Sequence, residues 1–72
     1  MITRKQLIEF KEIHGTIYIR NRKLARELKT RELRTKKNNF AAVAYGELDD
    51  IIVIYPNGTV QQLLWGEYEA WV

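Results

Sequence analysis

Neither cysteine nor serine occurs anywhere in the 72 residues, and histidine and proline occur once each. Without cysteine there is no disulfide staple and no thiolate metal site, and the lone His14 cannot assemble a zinc site unless carboxylates gather around it. No serine or cysteine is there to act as a nucleophile, and no glycine-rich phosphate loop is present. No apolar run approaches the roughly 18 residues of a membrane span. The opening Met1-Ile2-Thr3-Arg4-Lys5-Gln6 leads into charged sequence without the apolar core of a signal peptide. These absences argue for a cytoplasmic protein that is not an enzyme, holds no cofactor and has no membrane partner. The remaining candidates for chemistry have plainer explanations. His14 sits at a helix end, where it meets the last carbonyls, and Asp49-Asp50 fall in a polar turn, where neighbouring acids are solvated.

A further absence is regional: from Asn38 to the end there is no lysine or arginine at all. Residues 20–37 hold nine bases (Arg20, Arg22, Lys23, Arg26, Lys29, Arg31, Arg34, Lys36, Lys37) against Glu27 and Glu32, a local charge of +7. Beyond them Glu47, Asp49, Asp50, Glu67 and Glu69 give −5, while residues 1–19 carry +1. Such separation marks a molecule whose two halves meet different surroundings. Bases spread around a helix neutralise phosphates without reading any base, which makes Arg22, Lys23, Arg26, Lys29, Arg34, Lys36 and Lys37 a candidate nucleic-acid-binding set. Alternatively the basic segment pairs with the acidic half, within one chain or across a dimer. A helix-turn-helix does not fit: Leu24 to Thr30 resembles its first half, but Thr35 and Asn38 stand where a recognition helix needs apolar anchors.

What is present forms a single small domain over residues 1–72 of the α+β class, with one or two short helices packed on a three-stranded antiparallel β-meander. Thr3 and Gln6 form a capping box, Ile2 staples onto Leu7, and Gly15 stops the first helix. Its apolar arc is Leu7, Phe10 and Ile13, flanked by Ile8. Thr16 to Arg20 reads as an edge strand or an extended connection. Asn21 then caps a second, lightly anchored helix over residues 22–34, with Leu24, Ala25 and Leu28 as its stripe. The meander runs from about 40 to 65, turning at Glu47 to Asp50 and at Pro56-Asn57-Gly58, where Gly58 takes the left-handed position. Ile51 to Tyr55 is apolar on both faces, so helices cover one side and a partner subunit is a natural cover for the other.

A core of this length barely exceeds the cost of ordering its own chain, so self-association as a homodimer is expected. The aromatic tail supplies candidate interface residues in Trp65, Tyr68, Trp71 and Val72, since Trp and Tyr are enriched at protein contacts. Stacking on nucleic-acid bases suits them less, because Glu67 and Glu69 lie among them. The functional expectation is therefore a homodimeric protein-interaction module. A nucleic-acid-binding accessory protein acting through residues 20–37 is the alternative.

Taken whole, with Thr16-Ile17-Tyr18-Ile19-Arg20 running into the basic segment and Ile51 to Tyr55 followed by Pro56-Asn57-Gly58, the chain resembles the YopT-like family of small uncharacterised proteins from Bacillus prophage regions. The resemblance implies a homodimer whose subunit has one helix and three strands. It implies no activity and no functional residue.

Overall fold

Thr3, Gln6 and Gly15 set the limits of the first helix, α1 (Arg4–His14), in the computed structural model, which describes residues 2–71 and the side chains of 2–70. The capping box forms as the sequence predicts: the Gln6 N–H donates to Thr3 Oγ1 at 3.2 Å and the Thr3 N–H to Gln6 Oε1 at 2.8 Å. At the other end Gly15, at φ 77°, donates its N–H to the Lys11 carbonyl at 2.7 Å. The apolar arc needs one correction. Leu7 and Phe10 are buried, but Ile13 is 75% exposed. Each three-residue step falls about 60° short of a full turn, so Leu7, Phe10 and Ile13 spiral away from the core. His14 holds the buried line instead, its ring against Phe10 with centroids 4.6 Å apart.

The remaining elements are β1 (Ile17–Ile19), α2 (Arg22–Glu27), β2 (Arg31–Glu32), β3 (Ala42–Tyr45), β4 (Asp50–Ile54), β5 (Val60–Leu64) and α3 (Trp65–Trp71). The meander exists as β3, β4 and β5, but the sheet is not a three-stranded antiparallel one. Among the described residues it has five strands in the order β2-β1-β3-β4-β5, with β1 antiparallel to β3 and parallel to β2, and three helices accompany it. β1 and β2 are only three and two residues long. Long-range pairing rather than local propensity makes them strands.

Asn21 does cap α2, its Oδ1 accepting the Leu24 N–H at 3.1 Å. The helix nevertheless ends at Glu27, not near residue 34. Lys29 turns left-handed at φ 57°, its N–H bonding the Arg26 carbonyl at 3.2 Å, while the Thr30 N–H reaches the Ala25 carbonyl at 2.8 Å. This is the bonding of a Schellman stop with lysine at the position glycine usually takes. The chain thus leaves the helix in time to place β2 beside β1, and Leu33 swings under the sheet.

Side chains alternate across the strands as the pleat requires. Ile17, Ile19, Ala42, Ala44 and Ile54 form one core with Leu7 and Phe10 of α1 and Ala25 of α2. Val43, Ile51, Val53 and Leu63 form the other with Leu33, Phe40 and Tyr68. The double apolarity of Ile51 to Tyr55 is therefore met within the chain, and the partner subunit expected over the second face is not what covers it. The tail, whose residues alternate polar and apolar, forms the helix α3. Its start is held by Glu67, whose Oε1 accepts the Leu64 N–H at 3.3 Å, and its docking by the buried Tyr68. At the second hairpin the Gly58 N–H bonds the Tyr55 carbonyl at 2.8 Å with Gly58 at φ 91°, as predicted. Among the described residues no helix is long and apolar enough to cross a membrane.

Candidate functional site

Because β2 and β5 occupy opposite edges of the sheet, the division of charge along the chain becomes a division in space. α2, β2 and the segment 33–39 flank one edge. The acidic residues belong to the β3–β4 turn and to α3, which packs on β4 and β5.

On the basic side, Leu24, Ala25 and Leu28 seat α2 on the sheet and leave Arg22, Lys23 and Arg26 exposed. Lys29 projects from the Schellman stop, while Arg34, Lys36 and Lys37 stand exposed on the segment after β2. All seven residues of the predicted nucleic-acid-binding set are thus on the surface, along one margin. Arg31 joins them, its guanidinium 6.0 Å from the centre of the Tyr18 ring. The ion pairs among the described residues are Arg34 to Glu32 at 3.2 Å, within the basic segment, and Arg4 of α1 to Glu27 of α2 at 3.1 Å. No described base pairs directly with Glu47, Asp49, Asp50, Glu67 or Glu69.

Arg20 is the exception among the nine bases. It leaves the end of β1 and donates to the Phe40 carbonyl at 2.7 Å, the Asn38 carbonyl at 3.1 Å, Asn38 Oδ1 at 2.5 Å and the Thr35 carbonyl. Asn38, itself buried, completes the knot by donating to Thr35 Oγ1 at 2.8 Å and accepting the Phe40 N–H at 3.2 Å. This guanidinium shapes the loop that carries Lys36 and Lys37. It has no free fork for a phosphate.

The opposite margin carries exposed apolar side chains. Val60 and Leu64 are 52% and 62% exposed, on the sheet face that α1 and α2 cover elsewhere. Ile52 beside them is half-buried. Ile13 and Val60 line a common groove of about 220 Å³ with Phe10, His14 and Ile54. A strip therefore runs from the end of α1 along β5. Sequence reasoning missed it, because the pattern of Val60 to Leu64 gives no sign of which face its neighbours leave uncovered.

Of the residues predicted for an interface, Trp65 and Tyr68 are brought together, with ring centroids 5.8 Å apart. Tyr68 is only 3% exposed and stacks on Phe40 at 6.1 Å, so its ring belongs to the chain's own core. Burial, reinforced by the 3.4 Å contact with the Tyr45 hydroxyl, pushes its ionisation well above the ordinary tyrosine value. Trp65 is 43% exposed and anchored by its Nε1–H to Glu69 Oε1 at 2.6 Å. The Trp71 side chain and Val72 lie outside the described residues. Compared with family models, curated proteins and solved structures, the chain matches none.

Proposed function

We propose that the chain is a non-catalytic interaction module that acts as a homodimer. The observation that carries this reading is the uncovered apolar strip of Ile13, Val60 and Leu64 on a chain with so little core to spare. Exposed apolar surface gathered on one side marks a contact site, whereas single scattered residues do not. The homodimer implied by the YopT-like resemblance points the same way, but the reading rests on the surface alone. Light scattering on a size-exclusion column tests it. A dimer gives twice the chain mass of 8.6 kDa at tens of micromolar. One chain mass throughout that range removes the homodimer.

A second reading has its own observation behind it. Arg22, Lys23, Arg26, Lys29, Arg34, Lys36 and Lys37 are all exposed at one margin, with no direct pairing to the acidic half. Solvent exposure leaves those charges open to a polyanion. On this reading the module contacts the phosphate backbone of nucleic acid without reading its sequence. Anisotropy of a labelled random-sequence duplex measures that binding directly.

A further inference from the structure

Among the described residues strand β5 has a neighbour on one side only. Edge strands in stable monomers are usually guarded by a lysine, a proline, a bulge or a covering loop, because their open backbone invites another strand. The five residues of β5, Val60 to Leu64, contain no charge, no proline and no glycine. The edge β2, by contrast, is only two residues long and carries Arg31.

The ladder fixes which backbone groups are open. The Tyr55 N–H bonds the Thr59 carbonyl at 2.8 Å where the hairpin closes. In the β4/β5 register that follows, Val53 lies opposite Gln61 and Ile51 opposite Leu63. Bonded pairs alternate with unbonded ones in an antiparallel ladder, so Gln61 and Leu63 turn their groups towards β4. Val60, Gln62 and Leu64 turn theirs outwards, and of these the Leu64 N–H is held by Glu67.

We infer that β5 pairs antiparallel with β5 of a second copy of this chain, centred on Gln62, to give one continuous sheet across the dimer. This rests on the reading of the chain as a self-associating module and names the surface it uses. The occupant is a second copy because the strand suits its own reverse. A two-fold axis at Gln62 sets Gln62 against Gln62, and Val60 of each chain against Leu64 of the other. The outward backbone groups then meet each other, apart from the Leu64 N–H that Glu67 holds, and the exposed Val60 and Leu64 side chains fall on one face. Ile13, lining the same groove as Val60, extends the contact to α1.

Charge agrees with the arrangement. The interface strand is neutral, and the basic margins lie at the two far edges of the joined sheet. Each Trp65 stands three residues from the axis, so the starts of the two α3 helices are roughly 20 Å apart along the strands. That exceeds the screening length of about 8 Å at physiological salt, so Glu67 and Glu69 of the two copies do not oppose the pairing.

The absence of cysteine makes the test clean, because a single introduced thiol has no intramolecular partner. The full chain carrying Gln62→Cys is treated with a short bismaleimide at 0.1 mM, beside a control carrying Lys37→Cys at the opposite margin. Both variants, and the unmodified chain, are also weighed by light scattering. The expected result is a dimer in every case, with cross-linking at position 62 at least tenfold faster than at position 37. Leu64→Lys, at an exposed position that does not disturb the core, is expected to raise the dimer dissociation constant at least tenfold while leaving the circular dichroism spectrum unchanged. A dimer that cross-links no faster at 62 than at 37, or that tolerates Leu64→Lys, overturns the β5 pairing and leaves the homodimer reading standing. A monomer at 0.1 mM overturns both.

Discussion

Arg20 and Arg22 carry the same group two positions apart, yet one is an internal brace and the other a surface charge. Arg20 Nε and both terminal nitrogens reach carbonyls of a loop that has no strand to satisfy them, and buried acceptors left unpaired cost about 1–3 kcal/mol each. Arg20→Lys keeps the charge but loses the fork that serves several acceptors at once. It is expected to destabilise the fold by about 3 kcal/mol in urea titration, whereas Lys37→Ala stays within ~0.5 kcal/mol. Equal effects of the two would mean that Arg20 does not hold the loop. Tyr68 gives a second residue-scale prediction. Its hydroxyl stays protonated in the fold at pH values where an exposed tyrosine ionises, so above about pH 10 the folded state binds more protons than the unfolded one. Stability is therefore level below that pH and falls as the pH rises through it. Urea midpoints measured from pH 8 to 11.5 follow that decline in the natural chain, and the decline becomes shallower in Tyr68→Phe. Identical profiles in the two would assign the alkaline loss to other groups.

At the scale of elements, three described residues other than glycine hold positive φ: Lys29, Leu48 and Asp49. Lys29 ends α2, and a left-handed residue with a β-carbon costs about 1–2 kcal/mol there. Lys29→Gly removes that strain against some added freedom of the unfolded chain, so a gain of about 1 kcal/mol is expected by chemical denaturation. A loss would mean that the lysine side chain itself supports the helix end. The same residue explains why α2 was misread. A sequence reader expects Gly or Asn at such a stop, and a lysine in a run of bases carries no sign of it. The limits of α1 were legible because Thr3, Gln6 and Gly15 are local signals acting on their own helix. The Tyr55 to Thr59 hairpin was legible for the same reason. β1 was legible as extended chain but not as an interior strand, and β2 was not legible at all, since their pairing depends on where a crossover returns the chain. α3 was not either: Gly66 and an alternating pattern argue against a helix, and the docking of Tyr68 outweighs them. Of the candidate site, the charges were readable to the residue, but which apolar faces stay open is a property of the assembled sheet.

For the whole molecule, the placement of β2 and β5 at opposite edges turns one chain into two surfaces, and the salt dependence of duplex binding separates what they do. Each phosphate neutralised releases counterions and contributes about −0.9 to the slope of log affinity against log salt. If the seven exposed bases of the set all reach phosphates, the slope is about −6. Arg20 adds nothing because its donors are already engaged within the fold. Reversing charge at Arg26 and Lys29 together removes two contacts and adds two repulsions. The expected outcome by fluorescence anisotropy is a slope shallower by about 2 or more, with binding lost at near-physiological salt. Ile13, Val60 and Leu64 sit at the other margin, so Leu64→Lys should disrupt the dimer without reproducing this loss on the single chain. A slope near zero in the natural protein, or unchanged affinity on charge reversal, would remove the basic margin from nucleic-acid binding. Its charge would then be directed at an acidic protein surface, and the search for a partner would move there.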